Sequence, residues 1–397
     1  MKKQFFFWLT ILAILPFISF SQTTETTFGI KWKGFVKTDY MFDTRQVTAS
    51  REGHFSIIPA AENLDADGND LNAHANFNIL SIQSRLTGAI TGPDFFKMKT
   101  SGLLEADFFG NSGTGLDDVN GFRLRHAFVK LSNDKFDILM GQFWHPMFIT
   151  ESFPGVYSFN TGVPFQAFSR NPQLRFSTKG KARLVLTAFT ERDFATRGAS
   201  VSRSAVPQVN AQFQYGSTEK VLAGLGVNYK TANPGLGLDN VTSTAFIGFA
   251  RLALGKAVWK LQGIYGQNMS DVLMIGAFAT NAKGDFVSNN TLSVWTEIQG
   301  DISDKGEWGL FAGYTENSGF GEAVTFSAAN GFLSNVASMY RVAPRIGFKS
   351  GSLTIGTELE YTSAQYGVLD ITTGSIDIEA IDPVSNVRLL LTAIYKF

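Results

Sequence analysis

The segment NVRLLLTAIYKF, residues 386–397, is apolar at every second position. One set of alternate residues consists of Val387, Leu389, Leu391, Ala393, Tyr395 and Phe397. The residues between them are Asn386, Arg388, Leu390, Thr392, Ile394 and Lys396. A period of two predicts a β-strand, because successive side chains of a strand point to opposite faces. An apolar face ending in two aromatic residues is typical of a strand against lipid; a core strand of a soluble sandwich stays open for this segment alone.

The same alternation recurs along the chain. In predicted strand 8, Val209, Ala211, Phe213 and Tyr215 alternate with four amide residues, Gln208, Asn210, Gln212 and Gln214. Predicted strand 15 places Glu358 and Glu360 opposite an apolar face. Because one face of these strands is polar or charged, both faces cannot belong to an apolar core. The pattern indicates an all-β protein with one apolar and one hydrated surface.

The connections alternate between tight turns and long polar loops. Seven turns lie near residues 92–94, 133–134, 179–180, 216–217, 254–255, 304–306 and 350–351. Eight loops lie near residues 45–74, 110–120, 144–170, 192–205, 231–241, 267–290, 317–336 and 364–383. Together they connect about 16 strands, an even number with short turns on one side and long loops on the other. This arrangement predicts a transmembrane antiparallel β-barrel of a Gram-negative outer membrane.

The first 21 residues are typical of a secretory signal. Lys2 and Lys3 precede the apolar run Phe5 to Phe20, and Ser19 and Ser21 provide small residues for cleavage before Gln22. We therefore expect residues 1–21 to be removed and residues 22–397 to form a single barrel domain. The chain has no cysteine, which excludes a lipid-modified cysteine and a disulfide framework.

Composition limits the function classes. After removal of Lys2 and Lys3 from the 34 basic residues, 32 remain against 34 acidic residues. A nearly neutral chain argues against a nucleic-acid partner. No segment after the signal has the 18 or so apolar residues of a membrane helix, so a membrane location requires a closed barrel.

Four segments resemble the DcaP-like group of outer-membrane porins. They are SRLTG at residues 84–88, GLLEADFFG at 102–110, LRHAFVKL at 124–131 and LMGQFW at 139–144. The resemblance implies a sixteen-stranded, trimeric diffusion channel for small, often anionic, solutes. Some members of the group carry an N-terminal coiled coil, which has no counterpart in the few residues between the signal and strand 1.

The side chains predicted to face the lumen include many arginines. They are Arg85, Arg123, Arg125, Arg175, Arg183, Arg341, Arg345 and Arg388, and Glu105 and Asp107 are inward acids beside the first three. Guanidinium groups stay charged and bind carboxylate or phosphate with two hydrogen bonds. Charged side chains around a pore set its selectivity, so this set predicts an anion preference. The alternative is that the arginines only pair with the lumen acids.

The loop at residues 144–170 is unusually aromatic. It contains Trp144, Phe148, Phe153, Tyr157, Phe159, Phe165 and Phe168. An apolar loop is costly in water, so we expect it to fold into the barrel between strands 5 and 6, with Glu151 and Arg170 at the constriction. Burial at a trimer interface is the alternative.

Metal and enzyme chemistry have weaker support. Asn63, Asp65, Asp67 and Asn69 match the opening of a calcium loop, but His74 stands where the closing glutamate belongs. A structural Ca²⁺ and an ordinary Asx-rich turn both remain open, and no other cofactor is expected. The four histidines have no metal-site spacing and no nucleophile motif beside them. We therefore do not expect an enzyme.

The sequence thus favours a passive outer-membrane porin, a homotrimer in lipid that passes small hydrophilic and preferentially anionic solutes. A substrate-specific channel for apolar or aromatic solutes is the alternative, suggested by the phenylalanine content and the aromatic loop. A barrel enzyme such as a lipase is the third class considered.

Overall fold

A computed structural model describes residues 28–110, 121–378 and 382–397. Within these residues, sixteen strands form one antiparallel barrel in which each strand pairs with its neighbour in sequence. The first eight are β1 Gly29–Asp43, β2 Asn76–Leu80 with Arg85–Thr91, β3 Lys99–Asp107, β4 Arg123–Ser132, β5 Phe136–Trp144, β6 Arg170–Thr178, β7 Ala182–Phe189 and β8 Gln208–Gly216. The others are β9 Val221–Ala232, β10 Val241–Leu254, β11 Ala257–Gln267, β12 Asn290–Ser303, β13 Gly306–Gly319, β14 Val336–Ser350, β15 Leu353–Tyr366 and β16 Val384–Lys396. The predicted fold class and strand number are confirmed. The predicted signal peptide, residues 1–21, lies outside the described residues.

The period-two pattern assigns the two faces as predicted. In β8, Val209, Phe213 and Tyr215 are exposed on the outer wall, and the alternating amide residues Gln208 and Gln212 are buried inside. In β16, Leu389, Leu391 and Tyr395 face outward in the same way. An apolar outer wall with a polar interior is the arrangement of a barrel surrounded by lipid.

The barrel closes where β16 pairs with β1. Their register joins Val36 to Tyr395 and Asp43 to Arg388. We call the end of the barrel with the tight turns the lower end. There, the Gly34 N–H donates to the Phe397 carbonyl (3.0 Å), and the Phe397 N–H donates to the Gly34 carbonyl (3.1 Å). Closure pairs the backbone of the first and last strands, so neither presents a free edge along this register.

Strand β2 is interrupted at residues 81–84. It pairs with β1 on both sides of the break, at Leu80 opposite Asp39 and at Arg85 opposite Phe35. Four residues of β2 therefore face three of β1, which is the geometry of a bulge. The Ser84 Oγ accepts a hydrogen bond from the Lys37 backbone N–H (3.0 Å) and so replaces a missing ladder contact.

The long loops carry short elements of their own. Extended segments are Val47–Ser50, Phe55–Pro59, Gly276–Asn281, Phe286–Ser288, Val324–Thr325, Gly331–Phe332, Val368–Leu369 and Ile376–Asp377. Turns of 3₁₀ helix are Ser202–Ser204, Met269–Val272 and Ala328–Asn330. Within the described residues, no helix has the length and apolar composition needed to traverse a bilayer.

Three loops fold into the barrel. Residues 145–169 do so between β5 and β6, as predicted, and Phe159, Phe165 and Phe168 are almost completely buried. The hairpin at residues 47–59 and the segment at residues 268–275 also enter the interior, which the sequence did not predict. Together with the barrel wall they form an apolar cluster that includes Phe55, Ile57, Phe159, Val163, Phe165, Phe168, Leu273, Ile275, Trp295, Phe311 and Met339. We call this set the inner cluster.

The barrel wall differs in height around its circumference. Strands β3 to β8 contain 8 to 10 residues each. Strands β9 to β16 contain 11 to 15 residues each. The side formed by β3 to β8 is therefore the short wall, and the opposite side is the tall wall.

Candidate functional site

The loop at residues 145–169 is held by carboxylates of the tall wall. Both carboxylate oxygens of Glu297 accept from the Gly155 N–H, each at 2.9 Å. Glu358 accepts from the N–H groups of Tyr157 (2.7 Å) and Ser158 (3.1 Å). These bonds satisfy backbone donors that would otherwise be buried without a partner, so the acids of β12 and β15 fix the course of the loop.

Three of the predicted pore arginines hold loops in place. Arg341 donates to the carbonyls of Val163 (2.7 Å) and Ile57 (2.8 Å), which lie on two different in-folded loops. Arg345 forms an ion pair with Glu297 (2.7 Å), and Arg388 pairs with Asp43 across the barrel seam. Their side chains lie against loop and wall atoms with almost no exposure, and their role as pore-lining residues stays a prediction.

Four other predicted arginines come together at the short wall and the adjoining strand β2. Arg123 donates to both oxygens of Asp107 (3.0 and 2.8 Å). Arg125 donates to Glu105 (2.8 Å) and Asp107 (2.9 Å). The Nε of Arg85 lies 3.7 Å from Glu105. With Arg170 and its partner Asp193, whose shortest contact is 2.5 Å, these side chains form the arginine cluster: Arg85, Arg123, Arg125, Arg170, Glu105, Asp107 and Asp193.

The arginine cluster has four cations and three carboxylates, so it keeps one positive charge in excess. Exposure differs between its members. The side chains of Arg85, Arg123 and Glu105 keep 20%, 14% and 13% exposure, whereas Glu297 on the tall wall has none. Arg125, Arg170 and Asp107 in the same cluster keep only 2%, 1% and 0%, so Arg85, Arg123 and Glu105 are its water-accessible members.

Aromatic rings support the guanidinium groups on this wall. Arg85 lies over the ring of Phe35 (5.1 Å), and Arg125 and Arg170 both lie over Trp144 (5.7 and 5.2 Å). These distances are within the range of cation–π attraction. The rings restrict the arginine side chains and give the wall an aromatic as well as a cationic character.

Arg175, Arg183 and Glu151 lie lower on the short wall, near the tight turns. Arg183 donates to both oxygens of Glu151 (3.1 and 2.9 Å). Arg175 donates to the Trp144 carbonyl (2.8 Å). These three residues line a cavity of about 340 Å³ between the in-folded loop and the lower ends of β6, β7 and β8. Glu151, predicted together with Arg170 for one constriction, therefore lies in a different region from Arg170.

Two interactions could not be found from strand parity. Asp193 belongs to the loop after β7. Strand parity says nothing about loop residues, so it could not predict that Asp193 contacts Arg170 and Arg123. His54, in the first loop, lies against the Asp39 carboxylate, which also pairs with Lys37 (3.0 Å). An in-folded loop can place a side chain anywhere in the lumen, so only the tertiary structure reveals these contacts.

Burial changes the pKa of several loop groups. Burial lowers the pKa of His145 to about 4. Burial also lowers the pKa of His54, although the hydrogen bond to Asp39 acts in the opposite direction. Burial alone would raise the pKa of Asp193, but the nearby Arg170 and Arg123 outweigh it and lower the value. At neutral pH the two histidines are therefore neutral and Asp193 is charged.

The predicted calcium residues form a compact turn. Asp65 Oδ1 accepts from the backbone N–H groups of Asp67 (2.9 Å) and Asn69 (2.8 Å). The side chain of Asn69 also donates to Asp65 (3.1 Å). An aspartate that binds its own following backbone is characteristic of an Asx turn. The assignment of Ca²⁺ to Asn63, Asp65, Asp67 and Asn69 stays a prediction.

No family model matches the sequence, and no curated protein sequence matches it significantly. Solved structures match over nearly the whole chain. The outer membrane channel DcaP of Acinetobacter baumannii has a TM-score of 0.71 at 16% identity, covering 93% of this chain and 97% of that one. The anion-selective porin from Comamonas acidovorans has a TM-score of 0.57 at 14% identity, covering 93% and 100%. OmpT, an outer membrane protein of Vibrio cholerae, has a TM-score of 0.55 at 12% identity, covering 94% and 98%.

These identities are low, so the likeness concerns the fold. The predicted resemblance to DcaP-like porins is confirmed at that level, because the solved DcaP channel is similar along almost the entire barrel. The chain has the sixteen-stranded barrel fold of outer-membrane channels.

Proposed function

We propose that this protein is an outer-membrane channel of a Gram-negative bacterium for small hydrophilic solutes, and that it prefers anions. The observation that carries the proposal is the arginine cluster, with four guanidinium groups and three carboxylates, of which Arg85, Arg123 and Glu105 keep partial exposure. Unit charges a few ångströms from a permeating ion contribute on the order of 1 to 4 kcal/mol each where the passage is partly dehydrated. One excess positive charge is therefore enough to favour anions over cations.

The cationic surface extends along the path. Arg175 and Arg183 lie below the arginine cluster, nearer the tight turns, and Lys31, Lys33 and Lys181 are exposed near the same end of the barrel. An anion passing along the short wall would meet positive groups at successive heights, which raises its local concentration. This arrangement supports a channel rather than an enzyme.

The test is the reversal potential of single channels across a KCl gradient. Replacing Arg85, Arg123 and Arg125 by glutamine leaves Arg170 to face three carboxylates, a net charge of minus two. We expect the anion-to-cation permeability ratio to fall about fivefold or more at low salt, since about 1 kcal/mol corresponds to that factor. The effect should shrink at high salt, where the Debye length is about 3 Å at 1 M.

The matched control removes three cations that lie away from the short-wall passage: Lys220→Gln, Lys283→Gln and Lys305→Gln, all exposed. This variant should keep the wild-type ratio. An unchanged ratio in the arginine variant at low salt would refute the anion preference. Absence of conductance in the wild type would refute the channel itself.

A channel for apolar or aromatic solutes is the second candidate. It is favoured by the three in-folded loops, which narrow the passage, and by the rings of Phe35, Phe143 and Trp144 beside the arginines. Benzoate would distinguish the two. If it blocks chloride current much more strongly than acetate does, the aromatic surface contributes to solute choice.

We also propose that three copies associate through the short wall. Its outer face has an apolar groove of about 480 Å³ lined by Ile90, Gly102, Leu104, Val129 and Met140. A short wall with an apolar groove suits contact with a second copy better than contact with a full bilayer thickness. In mild detergent the native particle should contain three chains, and Gly102→Arg should reduce it to one. Gly248→Arg, on the outer face of the tall wall, is the control and should leave three.

A further inference from the structure

We propose that the cavity of about 340 Å³ beneath the loop at residues 145–169 binds a small polyhydroxylated monoanion of the sugar-acid class. The inference rests on the proposed anion channel and names its solute. The volume is at the lower end of the range for small-molecule pockets, roughly 300 to 1,000 Å³. The cavity lies on the short wall below the arginine cluster, so a solute moving along that wall would pass it.

Two guanidinium groups in its wall are the first feature of this cavity. Arg175 uses one terminal nitrogen to hold the Trp144 carbonyl, and Arg183 uses both of its terminal nitrogens on Glu151. The Nε atoms of Arg175 and Arg183 are buried without a hydrogen-bond partner among the described residues. These Nε atoms are enclosed by protein, so we assign the attraction of a solute carboxylate to the positive charge of the two guanidinium groups in the cavity wall.

The net charge of the cavity lining indicates how many negative charges the solute carries. Three cations line the cavity, namely Arg175, Arg183 and Lys179, and two carboxylates accompany them, Glu151 and Asp137. The excess is one positive charge. A monoanion neutralises it, whereas a second negative charge would be placed near Glu151 and Asp137 without compensation. The cavity therefore favours one carboxylate per solute.

Neutral polar groups line the rest of the polar side. Gln212 donates to the Pro146 carbonyl (2.7 Å), and Gln214 donates to Gln212 Oε1 (3.0 Å), which leaves the Gln214 carbonyl oxygen as an acceptor. Ser177 adds a hydroxyl group to the lining. Solute hydroxyl groups both donate and accept, as these amide and hydroxyl side chains do. Solute hydroxyl groups can bond to the Gln214 carbonyl oxygen and to Ser177, whereas an alkyl chain cannot, so the lining fits a sugar acid better than an alkyl carboxylate.

The experiment measures block of chloride current by D-gluconate, hexanoate and sorbitol in single wild-type channels. Gluconate and hexanoate both have six carbons and one carboxylate, and they differ in the hydroxyl groups. We expect the half-blocking concentration of gluconate to be at least fivefold lower than that of hexanoate, and sorbitol, which has no charge, to block weakly. Equal block by gluconate and hexanoate would overturn the inference.

The variant Gln214→Leu with Ser177→Ala removes hydroxyl recognition and keeps the cations. It should raise the half-blocking concentration of gluconate at least threefold and leave that of hexanoate unchanged. Gln267→Leu, at the long-loop end of β11 and outside the cavity lining, is the control for loss of an amide and should behave as wild type. Heat-modifiable migration verifies folding, and each single substitution replaces the double variant if the latter does not fold.

The two proposals fail in different ways. A wild-type channel with no anion preference in the KCl gradient would refute the proposed function. A channel that prefers anions but does not distinguish gluconate from hexanoate would refute only the sugar-acid site.

Discussion

Arg388 on the last strand forms an ion pair with Asp43 on the first strand, the residue directly opposite it in the closing register. Its Nε donates to Asp43 Oδ1 (2.9 Å) and its Nη2 to Oδ2 (2.7 Å), and both side chains are almost completely buried. The same Nη2 also donates to the Gly53 carbonyl (3.0 Å) on the first in-folded loop. One guanidinium group therefore joins the barrel seam to a loop in the lumen.

Arg388→Gln should destabilise the barrel, because it leaves the Asp43 carboxylate buried without its cation. Removing one partner of a buried ion pair costs about 3 to 5 kcal/mol. The temperature at which the compact gel band converts to the unfolded band should fall. The additional change Asp43→Asn should restore part of the loss, and Arg203→Gln, at an exposed loop position, should have no effect. Equal stability of Arg388→Gln and the wild type would show that the pair contributes little.

Deletion of Phe397 should reduce insertion into the outer membrane and leave export intact. The residue makes both backbone hydrogen bonds with Gly34 that fasten the lower end of the seam, and its ring extends the apolar outer face. Fractionation should find the truncated chain in the periplasm, with normal removal of the predicted signal. Deletion of Phe96, an exposed residue in the turn before β3, tests whether loss of any exposed phenylalanine has the same result.

The wild type should lose stability between pH 6.5 and pH 4 because of His145. Burial lowers its pKa to about 4, so in this range the unfolded chain binds a proton that the folded chain does not. The stability is present above pH 6.5 and decreases as the pH falls, by on the order of 2 kcal/mol at pH 5. His145→Gln, which can still accept from the Met147 N–H, should show a smaller decrease. Parallel curves for the two proteins would assign the acid sensitivity to other groups.

Glu358→Gln should loosen the loop at residues 145–169. The carboxylate accepts from two adjacent backbone N–H groups, and an amide in its place can present only one oxygen. We expect larger open-channel conductance and more current noise, since the loop narrows the lumen. Glu219→Gln, on an exposed turn, should reproduce the wild-type traces. A variant with wild-type conductance would mean that the remaining anchors suffice.

Strand parity predicted most of the barrel because the chemistry of the two faces differs so sharply. Gln208 and Gln212 could only face inward if Val209 and Phe213 face outward, and the structure places them so. The break in β2 was not predicted, because Ser81 to Ser84 continue the polar and apolar alternation closely enough to conceal one extra residue. Parity carries no information on such an insertion.

The interior was less predictable than the wall. Parity turns Arg85, Arg125 and Arg341 inward, but it cannot distinguish water from a folded loop at the end of the side chain. Arg85 keeps partial exposure, whereas Arg341 is enclosed by two loop carbonyls. The aromatic content identified the loop at residues 145–169, and the hairpin at residues 47–59 had too few large apolar residues to be recognised.

The inner cluster constrains the order in which the molecule assembles. Lipid or detergent can cover the outer face of an unfinished sheet, but the inward rings of Phe165 and Phe311 can be shielded from water only by each other and their neighbours. Strands that follow each other in sequence are joined by a single turn or loop, whereas the seam joins Asp43 to a residue 345 positions away, the slowest contact to form. We therefore expect the loops to collapse onto an open, curved sheet first, and the seam to close last around an interior that is already dry.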